Sequence, residues 1–285
     1  ELLLEAGLPP LAIQCLTGPG GPLGDALCQD KRVRKITFTG SREVGDRIIR
    51  HAGIKKVTLE LGSNCPVIVL PDADLEKTVK SVVAGGYGNA GQTCISAQRI
   101  IALSPVYGDF LDALKPAVAA LKTGDPLAEG TQMGPLVSRK DAERVEKWIS
   151  EAKSSGGEVV VGGGRDGATH QPTVVADAPL DSKIWRDELF GPAVAVVRAS
   201  SVEEAIRLAS DTDYGLGASI YTENLPAALK FIREVPSGNL HINGGPSWRV
   251  DLMPYGGLKD SGLGKEGPKY AVEAMTELKM VVIHE

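Results

Sequence analysis

A cysteine set among small residues, Asn89-Ala90-Gly91-Gln92-Thr93-Cys94-Ile95-Ser96-Ala97, has the surroundings a reactive thiol needs. Little bulk flanks the sulfur, so a substrate can reach it. A thiolate is a strong nucleophile once a base or an N–H lies nearby. The same residue type serves equally as a small buried hydrophobe, and Cys15, Cys28 and Cys65 read that way. Thirty-four residues before Cys94, Glu60 closes an apolar run and is followed by Leu61-Gly62-Ser63-Asn64-Cys65-Pro66. A carboxylate at the C-terminal end of a strand in an open α/β sheet points into the ligand crevice, where it can act as a general base. The alternative for a lone Glu is a surface ion pair.

Three further segments carry unusual combinations. Phe38-Thr39-Gly40-Ser41-Arg42-Glu43-Val44-Gly45 reads as a strand, a glycine turn and a helix start. A helix N-terminus offers unpaired N–H groups and a positive dipole end to a phosphate, and Gly40 adds no side chain to block approach. A capped helix after any strand of an α/β sheet gives the same pattern. Asp187-Glu188-Leu189-Phe190-Gly191-Pro192 sets an acid and an aromatic beside a Gly-Pro turn. Pro254-Tyr255-Gly256-Gly257-Leu258-Lys259-Asp260-Ser261-Gly262-Leu263-Gly264-Lys265-Glu266-Gly267 is rich in glycine, but its Lys-Asp-Ser insertion argues for an ordered loop over a flexible one.

The elements that must position these residues follow a strand–helix alternation. Strands are expected at 11–16, 35–39, 56–61 and 66–70, then at 99–103, 158–161, 173–176, 193–198, 218–221 and 239–243. Helices are expected at 21–30, 41–51, 74–85, 106–122, 138–155, 201–210, 225–234 and 268–276. Ser41 and Ser201 stand at cap positions, and Gly53 is a stop signal. Alternation with short connections argues for an α/β fold built on a parallel sheet. A last strand is expected at 279–284.

Composition sets outer bounds. The chain has 285 residues, of which 42% are hydrophobic, enough for one large domain or two modest ones. Thirty-one Lys and Arg against 36 Asp and Glu give a net charge of −5, so no bulk basic surface is offered to nucleic acid. Four cysteines without a C-x-x-C pair, beside only four histidines, argue against a structural zinc site and against a disulfide framework. They favour a reduced, cytoplasmic setting. No apolar run approaches the roughly 20 residues a membrane helix takes. The opening Glu1-Leu2-Leu3-Leu4-Glu5-Ala6-Gly7-Leu8-Pro9-Pro10 reads as the last turns of a helix, with no initiator Met, so further N-terminal sequence is expected.

Taken in order, the five segments resemble the aldehyde dehydrogenase superfamily. The resemblance rests on Leu59-Glu60-Leu61-Gly62, Gly91-Gln92-Thr93-Cys94, Glu188-Leu189-Phe190-Gly191-Pro192 and Pro254-Tyr255-Gly256-Gly257, and it extends from Glu1 to Glu285. It implies an aldehyde dehydrogenase-like α/β fold. Residues 1–61 would be the C-terminal part of a Rossmann-type NAD(P)-binding domain, 62–260 a complete catalytic domain, and 261–285 a helix and an oligomerisation strand. By the resemblance Cys94 is the nucleophile and forms a thiohemiacetal. Hydride passes to the nicotinamide of NAD or NADP, and a thioester remains. Glu60 activates the water that releases the carboxylic acid. Gly40, Ser41 and Gly45 resemble the turn under the cofactor diphosphate. Glu60, Leu61, Gly62, Glu188 and Phe190 fall in the cofactor-binding set, with Glu188 at the nicotinamide ribose. No metal is implied.

Ser63 departs from the family's usual Gly-Gly pair, a change between small residues. Trp248 and Arg249 fall where the family places its substrate-entry wall. An Arg there suits an aldehyde carrying a carboxylate or phosphate, as in the lactaldehyde, non-phosphorylating glyceraldehyde-3-phosphate and phosphonoacetaldehyde subgroup; a surface salt bridge is the alternative. The partners implied are a small aldehyde and, for the full-length protein, further copies in a homo-dimer or homo-tetramer. Three rivals stand beside this reading: a CoA-acylating semialdehyde dehydrogenase, a cysteine hydrolase using a His base, and an inactive truncated scaffold. Glu60 argues against the first.

Overall fold

The computed structural model describes residues 1–285. Its strands in chain order are β1 (Lys35–Thr39), β2 (Lys56–Glu60), β3 (Pro66–Val69), β4 (Arg99–Leu103), β5 (Glu158–Val161), β6 (Arg165–Asp166), β7 (Thr169–His170), β8 (Thr173–Ala176), β9 (Ala193–Ala199), β10 (Gly217–Tyr221), β11 (Asn239–Ile242) and β12 (Gly262–Leu263). Seven of them form one sheet in the order β11-β10-β3-β4-β9-β8-β5. All neighbours in it are parallel except β5, which runs antiparallel to β8. Parallel strands buried on both faces need near-continuous apolar sequence. Pro66–Leu70 and Arg99–Leu103 supply it, with every residue buried.

A smaller sheet has the order β1-β2-β12. β1 and β2 are parallel, whereas β12 comes from the glycine-rich segment and pairs antiparallel with β2, setting Gly262 opposite Glu60. The expected parallel sheet is therefore present, with this short antiparallel addition. The fold is the α/β class expected. No helix is long and apolar enough to cross a membrane.

Local sequence explains the helix that begins beside Gly40. Ser41 is extended and its hydroxyl accepts from the Val44 N–H at 3.4 Å, so helix Arg42–Ala52 starts there. Gly53, at φ 62°, ends it in the left-handed region. At Ser201 the two hydrogen bonds of a capping arrangement are split between neighbouring residues. The Glu204 N–H donates to Ser201 Oγ at 3.1 Å, but the Glu204 carboxylate accepts from the Ser200 N–H at 2.8 Å.

The expected strand at 11–16 does not form, and residues 279–284, expected to pair between subunits, pair with no segment of this chain; the residues of both runs are exposed. A strand exists only when a neighbour pairs with its N–H and C=O groups. No such neighbour stands beside either run.

Candidate functional site

Glu60 is the last residue of β2, and its backbone is fixed from both sides. It lies opposite Thr39 on one edge and Gly262 on the other, and its C=O accepts from the Gly40 N–H at 3.0 Å. The side chain is treated differently. It is only 3% exposed, yet neither carboxyl oxygen has a hydrogen-bond partner. Buried polar atoms are ordinarily paired, so two orphaned oxygens on one residue mark a place where a ligand or a reacting water belongs. Burial first, and then the Glu266 charge, push Glu60 from its ordinary 4.5 up to about 8, against the opposing pull of Lys265 and Arg249.

Cys94 is presented by a tight, locally strained turn. Asn89 and Ala90 both lie in the left-handed region, at φ 52° and 55°, shortly before it. The turn is laced by Asn89 Nδ2 to Gln92 O at 3.1 Å, by Gln92 Nε2 to Asn89 O at 3.0 Å, and by the Val137 N–H to Gln92 Oε1 at 2.8 Å. Gly91 is required, because a Cβ there would overlap the Gly191 carbonyl. The Gly91-Gln92-Thr93-Cys94 and Phe190-Gly191-Pro192 segments are therefore packed together. Cys94 is half-buried. Burial pushes its thiol up, a hydrogen bond from Tyr255 pulls it down, and the Glu188 and Glu60 charges push it up.

Glu188 completes a third corner. Its Oε1 accepts from the Ser63 N–H at 2.9 Å, and a Cβ on Gly62 would overlap its carboxyl group. Burial raises Glu188 to about 7, and the Ser63 hydrogen bond opposes the rise.

One cavity of about 1640 Å³ joins these groups. Gly40, Ser41, Gly45, Glu60, Leu61, Gly62, Cys94, Glu188 and Phe190 all line it. Nine residues singled out from separated segments of sequence thus share one cavity wall. Trp248 and Arg249 do not line it. Arg249 has other partners: its guanidinium lies 3.9 Å from the Tyr255 ring centroid, and Nη1 is 3.5 Å from Glu266 Oε2. Trp248 is exposed and stands edge-on to His241 at 6.4 Å. Arg249 nonetheless stays near the site, since its charge pulls on Glu60.

The cavity suits an extended anionic cofactor such as NAD(P). Its volume exceeds the roughly 300–1,000 Å³ of ordinary small-molecule pockets. The N-terminal turn of helix Arg42–Ala52 forms part of the wall. That turn already stabilises an anion: the Glu43 carboxylate is held below its ordinary range by its own backbone N–H and by the Ser41 hydroxyl. A Cβ on Gly45 would meet Leu61 Cδ1 at 2.7 Å, so the missing side chain lets the helix sit close on the strand end.

Three groups were not legible from the segments alone. Tyr255 places its hydroxyl 3.3 Å from Cys94 Sγ. Arg99, fully buried, donates to Asn64 O at 2.9 Å, Leu208 O at 3.0 Å and Ala209 O at 2.9 Å, which pins the segment after Glu60. Ser261, inside the glycine-rich loop, donates to Gly62 O at 2.7 Å and accepts from the Gly215 N–H at 2.9 Å. An Arg within an apolar strand and a Ser breaking a glycine run were the available signals.

A strained thiol turn, an unpartnered buried carboxylate and a helix N-terminal turn thus face one large cavity. The aldehyde dehydrogenase family profile matches residues 1–281, and the chain belongs to the aldehyde dehydrogenase family. It is 46% identical over 284 residues to the 3-sulfolactaldehyde dehydrogenase of Priestia aryabhattai, covering 100% of this chain and 60% of that protein. It is 38% identical to the lactaldehyde dehydrogenase of Methanococcus aeolicus, covering 100% of this chain and 61% of that protein. The solved structure of glyceraldehyde-3-phosphate dehydrogenase GapN from Methanocaldococcus jannaschii, complexed with NADP, superposes with a TM-score of 0.96 at 39% identity, covering 99% of this chain and 62% of that one. The chain thus spans about three fifths of the length of these relatives.

Proposed function

We propose that the protein containing this chain oxidises a small aldehyde to a carboxylic acid with NAD(P)+, through a covalent intermediate on Cys94. The observation that carries the proposal is the pairing of a reachable Cys94 thiol with the unpartnered Glu60 carboxyl on one cavity wall. Cys94 Sγ adds to the aldehyde carbon, and the backbone N–H of Cys94 stabilises the oxyanion of the thiohemiacetal. A bound nicotinamide cofactor supplies the hydride acceptor. Ser41 and the helix turn after it would hold its diphosphate, while Glu188, Gly62 and Phe190 would flank its nicotinamide end. Loss of hydride leaves a thioester on Cys94. Glu60, with a proton affinity near working pH, takes a proton from the water that attacks this thioester and so frees the acid.

Three of the relatives are named for lactaldehyde, 3-sulfolactaldehyde and glyceraldehyde 3-phosphate, which share a 2-hydroxyaldehyde, and we assign that substrate class over the succinate semialdehyde of others. Four free cysteines support a reduced, cytoplasmic setting. The exposed apolar run Met280–Ile283 supports association with further copies.

In the full encoded protein, Cys94→Ser is expected to lower kcat by about 10⁴-fold or more. Glu60→Gln is expected to lower steady-state turnover by about 10²–10⁴-fold while preserving a stoichiometric burst of reduced cofactor. Unchanged turnover in either variant sinks the proposal. Turnover that requires CoA and yields an acyl-CoA moves the chain to the acylating class.

A further inference from the structure

The catalytic thiol has one side-chain partner, and that partner is itself held by a charge. Tyr255 is 4% exposed and its Oη lies 3.3 Å from Cys94 Sγ. The face of the same ring carries the Arg249 guanidinium at 3.9 Å from the centroid. Arg249 is in turn 3.5 Å from Glu266. Tyr255 sits in a small apolar cluster with Cys65, Ile95 and Leu216, against which Cys94 packs. That packing fixes the ring, and the lock is tightened because the Glu266 N–H donates to Tyr255 O at 2.7 Å.

From this geometry we infer that the Tyr255 hydroxyl is the hydrogen-bond donor to the Cys94 thiolate, and that Arg249 is a positioning residue which strengthens the donation through the ring. The inference rests on Cys94 being the nucleophile of the proposed reaction. A thiolate accepts a hydrogen bond far better than a thiol, so a donor at this distance favours the charged, reactive form. Tyr255 remains protonated throughout the working range, because burial and the adjacent Cys94 both push its own ionisation up. A cation over the face of a phenol is attracted by the ring's electron density and favours negative charge building on its oxygen, which makes the hydroxyl a better donor. Arg249 also sets the ring plane. The residue therefore acts on the thiol through the ring; Glu60 and Glu188, whose charges also bear on Cys94, are unchanged in every variant used below.

The test measures Cys94 alkylation by iodoacetamide as a function of pH, with peptide mapping, in the full encoded protein without aldehyde or cofactor. Tyr255→Phe keeps the ring and its packing. The inference expects the midpoint of the alkylation profile to move up by about one pH unit, a roughly tenfold loss of labelling rate near neutrality. An unmoved midpoint overturns it. Arg249→Gln should move the midpoint in the same direction by a smaller amount, and Arg249→Lys should restore part of the shift. Should Tyr255→Phe fail to fold, Arg249→Gln decides in its place: no upward shift overturns the inference. Because labelling needs neither substrate nor cofactor, it separates this inference from the proposed reaction. If Cys94 is shifted as expected but the protein oxidises no aldehyde, the reaction fails and the thiol–phenol contact stands.

Discussion

The seven-stranded sheet and the three-stranded sheet both contribute walls to the same cavity, but they are supported very differently. The larger sheet anchors a single apolar cluster of 48 buried residues, with Ile68, Ile100, Ile101 and Val196 wholly enclosed. The smaller rests on four, Cys28, Ile48, Leu59 and Leu61, with Ile36, Phe38 and Val57 only half-covered. Cys94, Glu188 and Phe190 hang from loops of the deep core, whereas Gly40, Ser41 and Glu60 belong to the shallow one. Buried area is the main favourable term in stability, so the thiol side is the rigid part of the site. The carboxylate reaches that side because β12 and Ser261 stitch the end of β2 to the segments before and after the large sheet's strands. In the proposed reaction the two regions would divide the tasks: one would hold the thiol, and the other would present the carboxyl group and the helix end.

Core truncation is the strongest way to break this contrast. Ile101→Ala should cost about 2–5 kcal/mol, because the closed core around it cannot collapse onto the void. Leu59→Ala should cost distinctly less, since the thin cluster can relax toward solvent. Chemical denaturation of both variants gives the comparison, and equal losses would mean that the two sheets are equally supported.

The next test reads the burial of Glu60. Between pH 4.5 and about 8 the folded chain keeps a proton on Glu60 that the unfolded chain has released. The folded state then binds more protons, so this group's contribution to stability falls as pH rises through that window. Glu60→Gln should therefore match the native chain near pH 5 and exceed it near pH 9, by on the order of 2 kcal/mol. Thermal melts of both proteins at the two pH values check the sign. A variant that is destabilised equally at both pH values would show that the carboxylate is paired after all.

The smallest expected effect comes from the helix cap. Ser41→Ala removes the acceptor for the Val44 N–H and should cost about 1 kcal/mol. It should also speed amide exchange in residues 42–45 without touching the large sheet. Exchange that rises in β3 or β4 as well would mean that the two regions open together.

Local chemistry carried a great deal of this structure. Ser41 and Gly53 delimit helix Arg42–Ala52 because a cap hydroxyl and a left-handed glycine act within a few residues of themselves. Apolar runs such as Val67-Ile68-Val69 read correctly as buried strands. The five segments around Gly40, Glu60, Cys94, Glu188 and Tyr255 were visible as unusual local combinations, and resemblance to a known family supplied their roles. The run 11–16 shows the limit of local reading. Its β-forming residues are real, but pairing is a property of a neighbour. Arg249 shows it again, because nothing near it in sequence announces Tyr255 and Glu266 as its partners.

The amino-acid sequence by itself determined the α/β alternation, the helix boundaries and the residue types available for thiol and acid–base chemistry, since each depends on contacts within a turn or two. Tertiary structure alone decided that Glu60 would be buried without a partner, that the Tyr255 hydroxyl would meet Cys94 across 161 positions of chain, and that Arg249 would sit on the Tyr255 ring. Proton affinity and reach depend on what surrounds an atom in three dimensions. Those surroundings come from β12 and the glycine-rich loop folding back over residues some two hundred positions earlier.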